Sequence, residues 1–271
     1  MEIGASLAGI ELLVGNPEAA ASFYRTTFGL VPEKEGHALA CSAPGRALRF
    51  SKGPSGQLRR ASFRFASDKS FSAHRTAVIE REVALLEDEP GAFTVMDPEG
   101  RQIQFLAPAP PAAPRSDALP PARLQHFGVR SPAAVELVDF YVGKLGFVLS
   151  DRVIDKNGDL TAAFLRTDAE HHSMAIFRAP QVRFDHFSCE TAGWTELREW
   201  ADHMASVGVD LAWGVGRHGP GNDTFLMVQD PEGNLAEVSS DLEVCGPERP
   251  TGVWEHRPQT LNQWGVAIMR S

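Results

Sequence analysis

Three polar residues interrupt three otherwise hydrophobic stretches of this 271-residue chain. His126 lies in Leu124-Gln-His-Phe-Gly-Val129, His186 in Phe184-Asp-His-Phe-Ser-Cys189 and Glu237 in Asn234-Leu-Ala-Glu-Val238. Each stretch reads as a buried strand, where a carboxylate without a cation is costly. Taken singly, a histidine in an apolar strand is more often a hydrogen-bonded core residue. Two neutral imidazoles and one carboxylate together form the set that suits non-heme Fe(II) and leaves coordination positions open to exogenous ligands.

The elements that must position these residues are repeated. Phe23/Phe140, Tyr24/Tyr141, Gly29/Gly146 and Val31/Val148 share an offset of 117 (140 − 23), and Asp97-Pro-Glu-Gly100 recurs as Asp230-Pro-Glu-Gly233 at an offset of 133 (230 − 97). Internal repetition is an architectural signal. Residues 107–122 hold six prolines in sixteen residues, which prevents helix and central strand alike. They read as a stiff linker between an N-terminal unit, 1–106, and a C-terminal unit, 123–271.

Strands are expected over 7–14 and 124–130, and helices over 17–28 and 133–144, the latter with Val135, Val138 and Val142 at helical spacing. Second helices are expected over about 69–86 and 193–207. Each half closes with an Asp-Pro-Glu-Gly turn, in which Pro fixes φ and Gly accepts φ > 0. The fold class is α+β: four βαβββ modules paired into two open-barrel domains. Alternation on a strand lets each candidate ligand point into a barrel while Phe127, Phe187 and Val238 point away.

These stretches resemble the type I extradiol ring-cleaving dioxygenases of the vicinal oxygen chelate superfamily. The likeness is carried by Leu124-Gln-His-Phe-Gly-Val-Arg130 with Phe140-Tyr-Val-Gly-Lys-Leu-Gly-Phe-Val148, by Glu170-His-His-Ser-Met-Ala175, by Gly216-Arg-His-Gly-Pro-Gly-Asn222 leading to Asp230-Pro-Glu-Gly-Asn-Leu-Ala-Glu237, and by the tail Val253-Trp-Glu-His256 and Leu261-Asn-Gln-Trp-Gly265. It covers nearly the whole chain and is sharpest from about 123 to 265. The resemblance implies a catalytic C-terminal domain and an N-terminal duplicate that has lost its metal. At the repeat offsets Gly9 stands for His126 and Gln104 for Glu237, and the segment parallel to His186 is about Arg60-Ala-Ser-Phe63.

What the resemblance implies for the site is specific. His126, His186 and Glu237 hold Fe(II), with Mn(II) acceptable to the same ligands. His172 is the acid/base beside bound oxygen, a task that suits an imidazole; its neighbour His171 reads as a surface turn histidine. His218, in a Gly-rich loop, stands near the catechol oxygens. Asn222 and Met227 belong to the substrate pocket, with loop capping the competing role for Asn222. Met227 is a departure, because the family usually carries a tyrosine there and a thioether offers no hydroxyl. The expected reaction inserts both atoms of O2 into a catechol-type aromatic and opens the ring beside the diol. Two other classes stand against it. A glyoxalase-like metal-dependent isomerase or lyase usually has a carboxylate-richer ligand set. A small-molecule binding protein of the same superfamily needs no ligand trio.

Composition narrows the partners. The formal net charge is −9 and no Lys/Arg run occurs, so nucleic acid and anionic membrane are poor partners. There is no signal-like N-terminus and no long apolar run. Three widely spaced cysteines, Cys41, Cys189 and Cys245, fit a reducing cytoplasm better than a disulfide framework. The family likeness implies a homo-oligomer.

Overall fold

The computed structural model describes residues 2–110 and 119–270. The first half runs β1 (Ala5–Val14), α1 (Pro17–Phe28), β2 (Val31–Glu35), β3 (Ala38–Ala43), β4 (Arg46–Lys52), β5 (Gln57–Phe65), α2 (Asp68–Glu80), β6 (Leu85–Glu89), β7 (Ala92–Met96) and β8 (Gln102–Leu106). The second runs β9 (Ala122–Ser131), α3 (Ala134–Asp139), β10 (Val148–Ile154), β11 (Leu160–Arg166), β12 (Met174–Arg178), β13 (Arg183–Thr191), α4 (Trp194–Ser206), β14 (Trp213–Arg217), β15 (Thr224–Gln229) and β16 (Leu235–Ser240). A tail adds β17 (Gly252–Glu255) and α5 (Pro258–Leu261). Each half therefore holds two βαβββ modules, as the repeat predicts. Of the linker read over 107–122, residues 111–118 lie outside the described residues, and Ala122 already begins β9.

Each half forms one sheet, in the order β2-β3-β4-β1-β5-β8-β7-β6 and β14-β15-β16-β13-β9-β12-β11-β10-β17. The first strands of the two modules pair antiparallel at the centre, β1 with β5 and β9 with β13. The helices follow local signals. The Asn16 side chain accepts from Ala19 N at 3.1 Å, Pro17 opens α1, and Gly29 ends it at φ 66. The helix expected over about 69–86 stops at Glu80, because Glu82 takes φ 58 and Val83 N returns to Val78 O, leaving Leu85 free to start β6. The helix expected over 133–144 is α-helical only to Asp139 and continues as one π-helical turn over Phe140–Lys144.

The helices cover one face of each sheet and merge both halves into one core. Phe28 and Tyr24 of α1 pack on Phe187 of β13, and Phe63 of β5 packs on Phe127 of β9 and on Phe147. Phe127, Phe187 and Val238 lie in this core, which leaves their strand neighbours for the opposite, concave face. The three cysteines are buried as free thiols. Among the described residues no helix is long and apolar enough to cross a membrane.

Two reciprocal clasps join the halves. Tyr24 Oη donates to Asp230 Oδ2 at 3.0 Å, and Tyr141 Oη donates to Asp97 Oδ2 at 3.0 Å. Each half's first helical segment thus grips the other half's Asp-Pro-Glu-Gly turn. Burial, then the facing carboxylate, pushes each phenol well above its usual range, so each stays protonated and donates. Beside them Glu232 accepts from Gly15 N and Asn16 N, and Glu99 accepts from Ser131 Oγ. Each carboxylate oxygen keeps a second donor, Asn234 for Asp230 and Arg101 for Asp97, so losing the tyrosine hydrogen bond costs about 0.5–1.5 kcal/mol. Tyr24→Phe and Tyr141→Phe should each lower the unfolding free energy by that amount in a urea titration. Unchanged midpoints for both would show that the clasps do not hold the halves together.

Candidate metal centre

The concave face of the second sheet brings the three candidate ligands together by register alone. His126 on β9 stands opposite Ser188 on β13, and Ser188 opposite Glu237 on β16. The same row continues to Met227 on β15 and Trp213 on β14. His186 lies one pair along, opposite Gly128 and Leu235. His126 Nε2 and His186 Nε2 are 3.2 Å apart. Glu237 Oε1 is 4.0 Å from the first and Oε2 is 3.9 Å from the second. All three residues are buried.

The hydrogen bonds behind the ligands decide what they can bind. His126 Nδ1 donates to Gln125 Oε1 at 2.5 Å, and Gln125 is oriented by its own Nε2, which donates to His172 O at 2.8 Å. His186 Nδ1 donates to Asp185 Oδ1 at 2.7 Å. A neutral imidazole has one N–H, so both Nε2 atoms are bare lone pairs. Burial, then the neighbouring imidazoles, holds His126 well below its usual pKa and keeps it neutral. Glu237 Oε1 accepts from Ser188 Oγ at 3.1 Å, while Oε2 is buried with no hydrogen-bond partner among the described residues. Two nitrogen lone pairs and an orphaned carboxylate oxygen therefore converge with no donor between them, and a divalent cation fits that donor set.

Asp185 is itself clamped. Arg130 Nε donates to it at 2.6 Å, and Arg270, from the tail, donates through Nε at 3.1 Å and through an NH2 at 2.8 Å. Burial alone would raise this carboxyl, but Arg270 and His186 overcome it and hold it well below the usual carboxylate range. Sequence patterning does not single out Gln125, Asp185 or Arg270. Strict alternation would turn the first two to the opposite face from their ligand neighbours. Each instead occupies an irregularity in the β9–β13 register, Gln125 between Leu124 and His126 and Asp185 between Phe184 and His186. A bulge re-aims a side chain in this way.

The other sequence candidates divide. His126, His172, His186, His218 and Met227 line one cavity, with Phe164, Phe177, Trp213 and Leu261 among its apolar walls. The His172 ring lies 4.3 Å from that of His126, centroid to centroid. Burial, then the imidazoles of His171, His186 and His218, keeps it neutral. His218 Nδ1 donates to Leu261 O at 2.5 Å, and its Nε2 lies 3.9 Å from Glu237 Oε2. Burial lowers the His218 pKa, but Asp223 and Glu237 override it and raise it. Asp223, buried beside it, is pushed up to about 7 by burial, against the pull of His218. Met227 is buried against Trp213 and Leu261. Asn222 is not among the cavity residues: it is exposed at φ 57, and its Oδ1 accepts from Arg217 Nε at 3.0 Å. His171 is not a surface turn histidine but fully buried, because its ring fills the space between His172 and Asp151.

The N-terminal sheet carries the same scaffold without the ligands. Gly9, Ser62 and Gln104 share a row as His126, Ser188 and Glu237 do, and Ser62 Oγ donates to Gln104 Oε1 at 2.9 Å just as Ser188 does to Glu237. The same register puts Arg60 where His186 stands, and its side chain is spent on Gln102 and Glu87. Even the bulges recur, at Ala8 and Arg59.

Gly128 is a further residue on which the centre depends. A Cβ there would stand 2.7 Å from His186 Cε1 and 2.8 Å from Nδ1. The missing side chain is what lets the His186 ring lie across β9. Gly128→Ala should therefore push the ring off its Asp185 bond and weaken divalent-metal affinity about 10- to 100-fold, the usual scale for a lost ligand-orienting contact, with the fold intact by circular dichroism. An unchanged affinity by calorimetry would show that the ring position is not limiting.

Residues 123–238 match the Glyoxalase/Bleomycin resistance protein/Dioxygenase superfamily. Metapyrocatechase 2 of Cupriavidus necator is 27% identical over 92% of this chain and 86% of its own length. Metapyrocatechase of Pseudomonas sp. (strain CF600) is 30% identical over 43% of this chain and 36% of its own. Among solved structures, the Mn(II)-bound glyoxalase of Novosphingobium aromaticivorans superposes with a TM-score of 0.83 at 23% identity, covering 100% of this chain and 93% of that one. Homoprotocatechuate 2,3-dioxygenase of Brevibacterium fuscum, in complex with 3,4-dihydroxyphenylacetate, gives 0.80 at 22% identity, covering 99% and 91%. The paired-module fold is thus shared along the whole chain, and the segment that holds His126, His186 and Glu237 is the one that matches the Glyoxalase/Bleomycin resistance protein/Dioxygenase superfamily.

Proposed function

We propose that this chain is a metal-dependent extradiol dioxygenase that opens a catechol-type ring beside its diol. The carrying observation is that His126, His186 and Glu237 bring their ligand atoms together beside a cavity lined by both of those histidines and by His172 and His218. The naming of two relatives as metapyrocatechases supports the same reaction. In the balanced reaction one ring C–C bond next to the diol breaks and both atoms of O2 enter the product. The ligand set favours Fe(II), with Mn(II) acceptable to the same imidazole and carboxylate donors. Bound there, the metal supplies Lewis acidity toward the two diol oxygens and the redox coupling between diol and O2.

The protein's own groups have divided tasks. Two histidines facing one cavity are pushed in opposite directions, His172 down and His218 up. Such a split fits a base and a donor sharing one site. His172, held neutral, takes the proton of the entering diol. His218, fixed through Nδ1 to Leu261 O, presents Nε2–H to developing negative charge. Phe164, Phe177, Trp213, Met227 and Leu261 give the ring an apolar slot that excludes water. Met227 provides no hydroxyl, so the ring is held by packing rather than by a hydrogen bond from that position.

Oxygen uptake separates this reading from the isomerase of similar fold, since ring cleavage consumes O2 and isomerisation does not. Iron-loaded protein given a panel of catechols in an oxygen-electrode cell should consume one O2 per diol and form a yellow ring-opened product. His172→Phe should retain metal and lose about 10²- to 10⁴-fold in kcat, the range for a removed proton-transfer group. No oxygen consumption with any catechol by protein shown to hold iron would contradict the proposal.

A further inference from the structure

His172 does not stand alone behind the cavity. Its Nδ1 is 3.0 Å from His171 Nδ1, and His171 Nε2 is 3.2 Å from Asp151 Oδ2. Asp151 cannot turn away. Its Oδ1 accepts from an Arg249 guanidinium nitrogen at 2.7 Å and from Gly252 N at 3.1 Å, and its Oδ2 accepts from Trp254 Nε1 at 2.6 Å. Gly221, at φ 81, leaves the room His171 needs, for a Cβ there would stand 3.1 Å from His171 Nδ1. All three side chains in the chain of contacts are buried.

With a single N–H on each ring, these contacts have one consistent polarity. A carboxylate only accepts, so the group facing Asp151 on His171 is Nε2–H. The contact is poorly aligned for a hydrogen bond, and among the described residues Nε2 has no better partner. With that N–H as the only one on the ring, His171 Nδ1 is an acceptor. The 3.0 Å contact between the two Nδ1 atoms needs one proton, and it must belong to His172.

We propose that Asp151 and His171 are positioning residues that fix His172 as its Nδ1–H tautomer, so that a bare Nε2 lone pair is what His172 presents to the cavity. The inference rests on the reading of His172 as the group that takes the diol proton, because only a bare nitrogen can do so. It adds that the tautomer is selected from outside the cavity, by a carboxylate two residues removed in the contact chain. His171 and Asp151 neither line the cavity nor belong to the ligand set, and they act through His172.

The test reads the tautomer without turnover. Full-length protein carrying 15N-labelled histidine and loaded with diamagnetic Zn(II) is observed by long-range 1H–15N NMR above neutral pH, with His172 assigned by its loss in His172→Gln. Expected in the parent protein are a protonated Nδ1 and bare Nε2 on His172, and a protonated Nε2 on His171. In Asp151→Asn the carboxamide oxygen stays with Arg249 and Gly252, its NH2 turns to His171, and the polarity of the whole chain reverses, so His172 becomes Nε2–H. His171→Phe removes the acceptor and gives the same tautomer by an independent route, which keeps the test open should either variant fold poorly. In the iron-loaded enzyme the same variants should lose about 10²-fold or more in kcat, a general-base loss, with KM and metal content unchanged. Finding Nε2–H on His172 in the parent, or Nδ1–H retained in both variants, overturns the proposal. A tautomer switch without any oxygen chemistry in the parent would leave this inference standing and remove the functional reading instead.

Discussion

Everything around the concave face of the second sheet answers to one electrostatic constraint: three acceptors, with no donor among them, point at one another inside the protein. His126 and His186 are fixed through Nδ1 so that their Nε2 lone pairs face 3.2 Å apart, and the orphaned Oε2 of Glu237 closes the set. Lone pairs do not converge in a dry interior without a positive charge to gather them. The tail belongs to this arrangement. Arg270 reaches back to Asp185, and α5 supplies the carbonyl that orients His218, so the last residues of the chain help to aim groups held on β13 and β14's loop.

The duplication explains why the scaffold can carry such a centre. In the N-terminal sheet the row, the serine and both bulges persist, while glycine, arginine and glutamine replace the donors. What that half contributes is mechanical. Its Tyr24 and Asp97 complete the two cross-half clasps, and its phenylalanines extend the core beneath β9 and β13. The geometry of the ligand strands is thus backed by side chains from a half that binds through none of its own corresponding positions.

Much of this was legible in the chain. The repeat offsets located four modules, and the polar interruptions of apolar strands located His126, His186 and Glu237, because burial in a strand leaves an ionisable group few other uses. What remained hidden lay where local periodicity fails. Gln125 and Asp185 sit in bulges, which alternation cannot anticipate. Arg270 is distant in sequence from the carboxylate it holds. His171 looked like a turn residue because its partner, Asp151, comes from a strand whose side chains meet it only in three dimensions. Asn222, read as a pocket residue, is exposed, and its side-chain oxygen is taken up by Arg217. The helix expected beyond residue 80 ended early for a similar reason, a left-handed Glu82 that no pattern of apolar residues signals.

The most direct test of the central claim is the sign of a stability change at Glu237. If the three acceptors are held together against their own repulsion, Glu237→Gln relieves it, since the amide can donate to the facing imidazole nitrogen. By urea unfolding, metal-free Glu237→Gln should be more stable than the metal-free parent, by about 1–3 kcal/mol, the scale of an unsatisfied buried acceptor. Divalent metal at a hundredfold excess over its dissociation constant should then stabilise the parent by about 2.7 kcal/mol and leave the variant nearly unmoved, closing or reversing the order. A variant that is less stable than the parent without metal, and equally stabilised by it, would contradict the account.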